Sequence, residues 1–477
     1  MITGQYTKLL ILLFYIIACV NKNHGETAGK ATIAITTVVP HANVADTFET
    51  GKVTDSIFCK KDSVQSYALY IPAKGSKLAL PVIYFFDPHG DGSLPLNKFK
   101  ALADEYHIIL AGSNNSKNGN DWPATEKIWN VLFDDSQNRL QINNNRIYTC
   151  GFSGGAKVAT YIGLKHHEVK GVIANGAGLP DIISAGNFPF SFTAITGEGD
   201  MNMTDLVAVN TALDKTQTRH RIIFFDGKHE WAPESAMRIA FTGLQLDAMR
   251  EKLIPADAAF VNSYIEQSRK KIAAYLNSGN YIKAEAACEL SISILNGLAN
   301  EVNWFKEKEA AIRSDMTYKK QWLTEQNLLE TEQNMKETYN QQFGKGDRDY
   351  WIKTINDLHA KAKIKTPEGS MYQRLIAYLS LAFYSISNQL INGNQNDNAQ
   401  HFVDLYKIAD ATNSEAWYFS AILNARNHNA KAAQDDLLKA VANGFTDKKR
   451  MMQQPEFQNA GAPLNLPEVE AKMKGRK

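Results

Sequence analysis

An α/β chain is the fold class this sequence predicts: a doubly wound, mostly parallel sheet over residues 56–253, followed by an all-helical region over 254–477. Three observations carry that expectation. Between residues 64 and 253, short and nearly continuous apolar runs alternate with helix-like stretches, as in parallel strands covered on both faces. Beyond residue 254 strand-like runs largely vanish, Lys, Glu, Gln, Asn and Ala dominate, and helical periodicity continues to the C-terminus. At 477 residues the chain is also too long for one ordinary core.

Taken in order, the first element is an export signal. Lys8 is followed by an apolar run over residues 9–17 that ends in Ala18-Cys19. The run is short for a bilayer span but fits the apolar core of a secretory signal. Ile16-Ile17-Ala18-Cys19 resembles a bacterial lipobox, so residues 1–19 are expected to be cleaved and Cys19 to carry a lipid. The chain would then be a membrane-anchored lipoprotein of a cell envelope, and otherwise periplasmic or secreted. The competing reading is an ordinary signal peptide or an uncleaved anchor. Residues 20–55, rich in Thr, Ala, Val, Gly and Lys, read as a linker, with a short strand over 32–39 left open.

Strands are expected over residues 66–71, 81–86, 108–111, 146–150, 171–174, 192–195 and 222–225. Helices are expected over about 97–105, 123–140, 155–166, 204–215 and 233–252. In a parallel sheet, ligands bind beyond the carboxyl ends of the strands, so the loops after Phe86, Cys150, Ile195 and Phe225 are where chemistry belongs. In the helical region Trp417, Ala421, Ala433, Leu437 and Ala440 resemble the large and small positions of a tetratricopeptide repeat. Phe383, Ala399 and Val403 occupy comparable places one repeat earlier, and Gly279-Asn280-Tyr281 with Ala284 resembles a further turn and second helix. Residues 300–350 fit that pattern poorly, and a generic helical bundle is the alternative.

A hydroxyl is a weak nucleophile at neutral pH and needs an adjacent base and donors for the developing oxyanion. The expected strand ending at Cys150 runs into Gly151-Phe152-Ser153-Gly154-Gly155 and then a helix, the strand–elbow–helix setting of a nucleophilic serine. Ser153 is the candidate nucleophile. His229, in Asp226-Gly227-Lys228-His229-Glu230-Trp231, follows the last strand and is the candidate base. His220 precedes that strand and lies at the wrong end. Asp200, in Thr196-Gly197-Glu198-Gly199-Asp200, is the candidate acid, with Glu198 as substitute; Asp205 belongs to the next helix and Asp226 to structure. The oxyanion hole would use the backbone N–H of Gly154 and one from the loop Asp87-Pro88-His89-Gly90-Asp91-Gly92. Pro88 has no N–H, which leaves His89, Gly90 or Asp91.

These segments, with Ser66-Tyr67-Ala68-Leu69-Tyr70-Ile71-Pro72, resemble the esterase and poly(3-hydroxybutyrate) depolymerase-like branch of the α/β-hydrolases over about residues 64–235. The resemblance implies a metal-free ester hydrolysis through an acyl-enzyme, with Ser153, Asp200 and His229 in the roles above. The 87–92 loop departs from the usual HGGG or His-Gly-Cys patterns, so the second oxyanion donor stays open.

Other features bound the expectation. Formal net charge is +2, which gives no global field for nucleic acid. Cys59, Cys150 and Cys288 make an odd number in the mature chain; either the first two pair or all three are buried thiols. No cysteine or histidine spacing resembles a zinc site, and neither metal nor cofactor is expected. Trp122 and Trp129 follow a polar loop and either line a pocket or, for Trp129, anchor a helix in the core. The function expected is that of an exported carboxylic ester hydrolase acting on a small or polymeric ester, with a protein partner bound through the helical repeats. The alternatives are a serine peptidase of the same fold and a noncatalytic scaffold.

Overall fold

The computed structural model describes residues 48–74, 78–459 and 464–474. The signal segment, Cys19 and the 32–39 strand fall outside them. Eight strands, β1 (Thr54–Phe58), β2 (Ser66–Tyr70), β3 (Leu80–Phe86), β4 (Ile109–Ser113), β5 (Ile142–Phe152), β6 (Val169–Asn175), β7 (Ser191–Gly197) and β8 (His220–Phe225), form one sheet in the order β1-β2-β4-β3-β5-β6-β7-β8. β2 is antiparallel to both its neighbours, and every pair from β4 through β8 is parallel. This is the strand order of the α/β-hydrolase fold.

The helices between the strands are α1 (Ser93–Tyr106), α2 (Trp122–Arg139), α3 (Gly154–Lys165), α4 (Met203–Leu213) and α5 (Glu234–Arg250). Strand side chains alternate between two cores, which is why the strands read as continuous apolar runs. Val82, Tyr84 and Phe86 point to the α2–α3–α4 face, whereas Ile83 and Phe85 point to the α1–α5 face. Trp129 is fully buried, its ring 5.0 Å from Tyr84, so it anchors α2 in the core. Truncating it to alanine would cost about 3–5 kcal/mol. Trp122 instead stacks on Tyr161 at 4.5 Å.

Several helix starts explain themselves. Asp121 accepts from Ala124 N–H at 2.8 Å and Pro123 sits in the first turn of α2, where a missing N–H is harmless. α1 begins at Ser93, earlier than expected, because Asp91 accepts from the Ser93 and Leu94 N–H groups and closes its first turn.

One expectation is corrected and one open alternative is decided. β1 lies partly within the stretch read as linker; only Ile57 in it is buried, and an edge strand with polar faces shows no apolar run. Cys59 and Cys150 are not paired. Both are buried free thiols, Cys59 in the α2–α3–α4 core and Cys150 in the opposite one, so the sheet separates them.

The helical region contains α6 (Ala258–Asn277), α7 (Tyr281–Leu295), α8 (Val302–Ser314), α9 (Met316–Gln342), α10 (Arg348–Lys361), α11 (Pro367–Asn392), α12 (Asn396–Ala409), α13 (Ser414–Arg426), α14 (Ala430–Ala442), α15 (Lys448–Gln453), α16 (Pro455–Gln458) and α17 (Leu466–Lys474). Gly279 has φ +74° in the α6–α7 turn, and Ala284 is fully buried in α7. Phe383, Ala399, Val403, Ala421, Ala433, Leu437 and Ala440 are buried at helix contacts, while Trp417 is half-buried. The helices of successive pairs are unequal, with 26 residues in α11 against 14 in α12. Among the described residues, no helix is long and apolar enough to cross a membrane.

β4 lies on one side of β3 and β5 on the other, and α1 and α3 leave for opposite faces. The loops after β3 and β5 therefore part and open a crevice at the carboxyl ends of the strands.

Candidate active site

β5 delivers Phe152 and Ser153 into the crevice. Ser153 has φ +53° and ψ −122°, a backbone state that is costly for a residue with a Cβ, by about 1–3 kcal/mol. The strain persists because strand and helix nearly touch. A Cβ on Gly151 would lie 2.0 Å from the Gly155 carbonyl oxygen, and one on Gly155 would lie 1.9 Å from that of Phe86. Both glycines of the motif are thus required by contact, and the elbow lifts the serine hydroxyl off the sheet.

The three sequence candidates meet there. His229 Nε2 is 3.0 Å from Ser153 Oγ, and its Nδ1 is 2.9 Å from Asp200 Oδ1. Asp200 is fully buried and also accepts from the Asn202 N–H at 2.9 Å. An imidazole with one nitrogen on a carboxylate has its tautomer set, leaving Nε2 free to take a hydroxyl proton. Glu198 is not brought to His229. Its carboxylate reaches Lys283 on α7 at 2.5 Å. His220 sits at the opposite end of β8, its Nε2 3.0 Å from Asp214. Asp205 lies in the first turn of α4, and Asp226 is exposed.

Residues not singled out from the sequence hold this arrangement. Buried Asn175, at the end of β6, accepts from Ser153 N–H at 2.9 Å through its backbone oxygen and from Ala232 N–H at 2.7 Å through Oδ1. It therefore ties the elbow to the loop of His229. Asp87 accepts from Trp231 Nε1 at 2.8 Å, and the Trp231 and His229 rings both lie against Phe152, at 5.6 and 4.7 Å. A polar residue ending an apolar strand was the available signal for Asn175, but asparagines at strand ends are common turn residues.

The oxyanion candidates divide. Gly154 begins α3, its N–H among the unpaired donors of a helix start. His89 N–H donates to Asp87 Oδ1 at 2.8 Å, and Gly90 N–H to the Asp87 carbonyl at 3.1 Å. Asp91 N–H has no acceptor among the described residues. Asn118, whose own N–H donates to the Pro88 carbonyl at 2.8 Å, packs its carboxamide against Gly154. The hydrogen bond to Asp87 raises the His89 pKa above its ordinary value.

Burial pushes the thiols up, Cys59 and Cys288 each to about 12 and Cys150 well above its usual range, so none offers a thiolate at neutral pH. The acidic group Glu285, Glu289 and Glu309 is bridged by the Arg313 guanidinium, which stands where a cation would.

No protein-family model matches the chain, and none of the curated proteins compared with it does. Among solved structures, an esterase from the archaeon Pyrobaculum calidifontis is similar at 14% identity, covering 42% of this chain and 85% of that one, with a TM-score of 0.34. A ferulic acid esterase is similar at 14% identity, covering 40% and 94%, with a TM-score of 0.32. An acylaminoacyl peptidase from Pyrococcus horikoshii is similar at 12% identity, covering 41% and 40%, with a TM-score of 0.30. Similarity at this level adds nothing about chemistry to the strand order and side-chain geometry described above.

Proposed function

We propose that this protein is a serine hydrolase acting on carboxylic esters, with Ser153 as nucleophile, His229 as general base and Asp200 as the acid that orients it. The observation carrying the proposal is the relay of 3.0 and 2.9 Å from Ser153 through His229 to buried Asp200, on an elbow with φ +53°. Ser153 Oγ attacks the ester carbonyl as His229 Nε2 takes its proton. The oxyanion of the tetrahedral intermediate is held by Gly154 N–H and a second donor from residues 89–91. Collapse expels the alcohol, protonated by His229, and leaves an acyl-serine that water hydrolyses by the same steps. Esters are preferred over amides on the resemblance of residues 64–235, and the polymeric or small-molecule nature of the substrate follows from loops rather than from the relay.

The test is fluorophosphonate labelling and turnover of aryl acyl esters of graded chain length, with Ser153→Ala beside wild type. Labelling and turnover confined to wild type are expected. Equal turnover by both proteins would overturn the mechanism, and absence of labelling in folded wild type would favour a scaffold. Export and lipid attachment at Cys19 complete the proposal. They are supported by the 9–17 apolar run and the Ile16–Cys19 motif, and tested by metabolic labelling with an alkynyl fatty acid against Cys19→Ser.

A further inference from the structure

The loop that carries Asp200 is gripped from the helical region. Arg374 on α11 is buried, and its NH1 donates to the Glu198 carbonyl at 2.7 Å, across 176 residues of sequence. Its Nε and NH2 both reach Glu332 Oε2 on α9 at 2.7 Å. Glu332 is itself buried and carries Lys336 on its other oxygen at 2.7 Å. A buried guanidinium needs its charge matched and its donors accepted. Glu332 meets the first need, and the fork arm that remains goes to the backbone of the acid loop.

That loop is tied on its other side to the base. Glu198 N–H donates to the Phe225 carbonyl and Gly199 N–H to the Gly227 carbonyl, each at 2.9 Å, joining it to the end of β8 from which His229 follows. Gln373, next to Arg374, packs against the same loop: a Cβ at Gly199 would lie 2.4 Å from Gln373 Oε1. With Lys283 of α7 on the Glu198 carboxylate, two helices of the second region, α7 and α11, bear on the two residues preceding Asp200.

We infer that Arg374 is a positioning residue for Asp200, acting through the Glu198 carbonyl, so that the helical region completes the active site. The inference rests on the Ser153–His229–Asp200 reading above. Arg374 touches neither His229 nor Ser153. Its effect is on where the carboxylate stands, and a displacement of about 1 Å can reduce turnover about a hundredfold.

The full chain carries the test. The double variant Arg374→Met/Glu332→Leu removes both charges together and leaves no buried carboxylate unpaired. Arg374→Lys keeps the charge without the fork. Turnover of a neutral aryl acetate, melting temperature and amide hydrogen exchange over residues 198–203 are measured for each. The double variant is expected to melt close to wild type, with kcat lower by about ten- to a hundredfold, KM little changed and faster exchange in that loop. Arg374→Lys should fall between the two. A folded double variant with wild-type kcat and exchange overturns the inference. If the double variant does not fold, Arg374→Lys with wild-type kcat and exchange overturns it. Absence of turnover and labelling in wild type defeats the triad reading instead, and the exchange measurement still decides whether Arg374 holds the loop.

Discussion

Asp200 and Glu198 show how two carboxylates in one short loop acquire different partners. Asp200 is buried against His229, while Glu198 turns away to Lys283. Asp200→Asn should lower kcat by about 10⁴-fold, because an amide favours the wrong imidazole tautomer. Glu198→Gln, which keeps the backbone carbonyl that Arg374 uses, should stay close to wild type. Steady-state kinetics on one aryl ester compares the two directly, and the reverse ranking would move the acid role to Glu198. Gly155 makes a second prediction at this scale. Gly155→Ala drives a Cβ into the Phe86 carbonyl oxygen and is expected to destabilise by about 3 kcal/mol, read from urea unfolding. A wild-type midpoint would mean the elbow can relax. Ser153, Asp200 and His229 were legible from chain order and loop position. Asn175 and Asp87 were not, because their value lies in which two loops each one ties together.

Elements were legible in proportion to how buried they are. β3, with no exposed residue, matched its apolar run almost to the residue, whereas β1, mostly polar, gave no strand signal and straddles the expected linker boundary at residue 55. The α7–α8 hairpin supplies the prediction at this scale. Burial, then the neighbouring Glu285 carboxylate, raises the Glu289 pKa to about 7. A carboxyl with a folded pKa above its unfolded value of about 4.3 stabilises most below that value, and the contribution is lost as pH rises through 7. Glu289→Gln should therefore flatten the melting temperature between about pH 5 and 8. A profile identical to wild type would show that the Arg313-bridged trio does not titrate there.

At the scale of the whole molecule, the two regions share a core. Leu246 and Met249 of α5 are buried with residues of α6, α7 and α8, and Arg250 Nε donates to the Asn296 carbonyl at 2.9 Å. Cutting the chain after residue 253 would expose that apolar surface and leave the acid loop without Arg374. The fragment 1–253 is expected to aggregate or to bind the dye ANS with little near-ultraviolet dichroism, and to lose ester turnover. A soluble, rigid and active fragment would show that the α/β region stands alone.

The sequence by itself determined the alternation of strands and helices, the elbow, and the order Ser, Asp, His along the chain. Each is a local pattern with a local cause: period-two burial, glycines at a forced turn, polar residues in loops after apolar strands. Tertiary structure alone decided the rest. It separated Cys59 from Cys150 by a sheet, sent Glu198 away from His229, and brought Arg374 onto the loop of Asp200. Those outcomes depend on which distant surfaces meet, and no spacing along the chain encodes a contact across 176 residues.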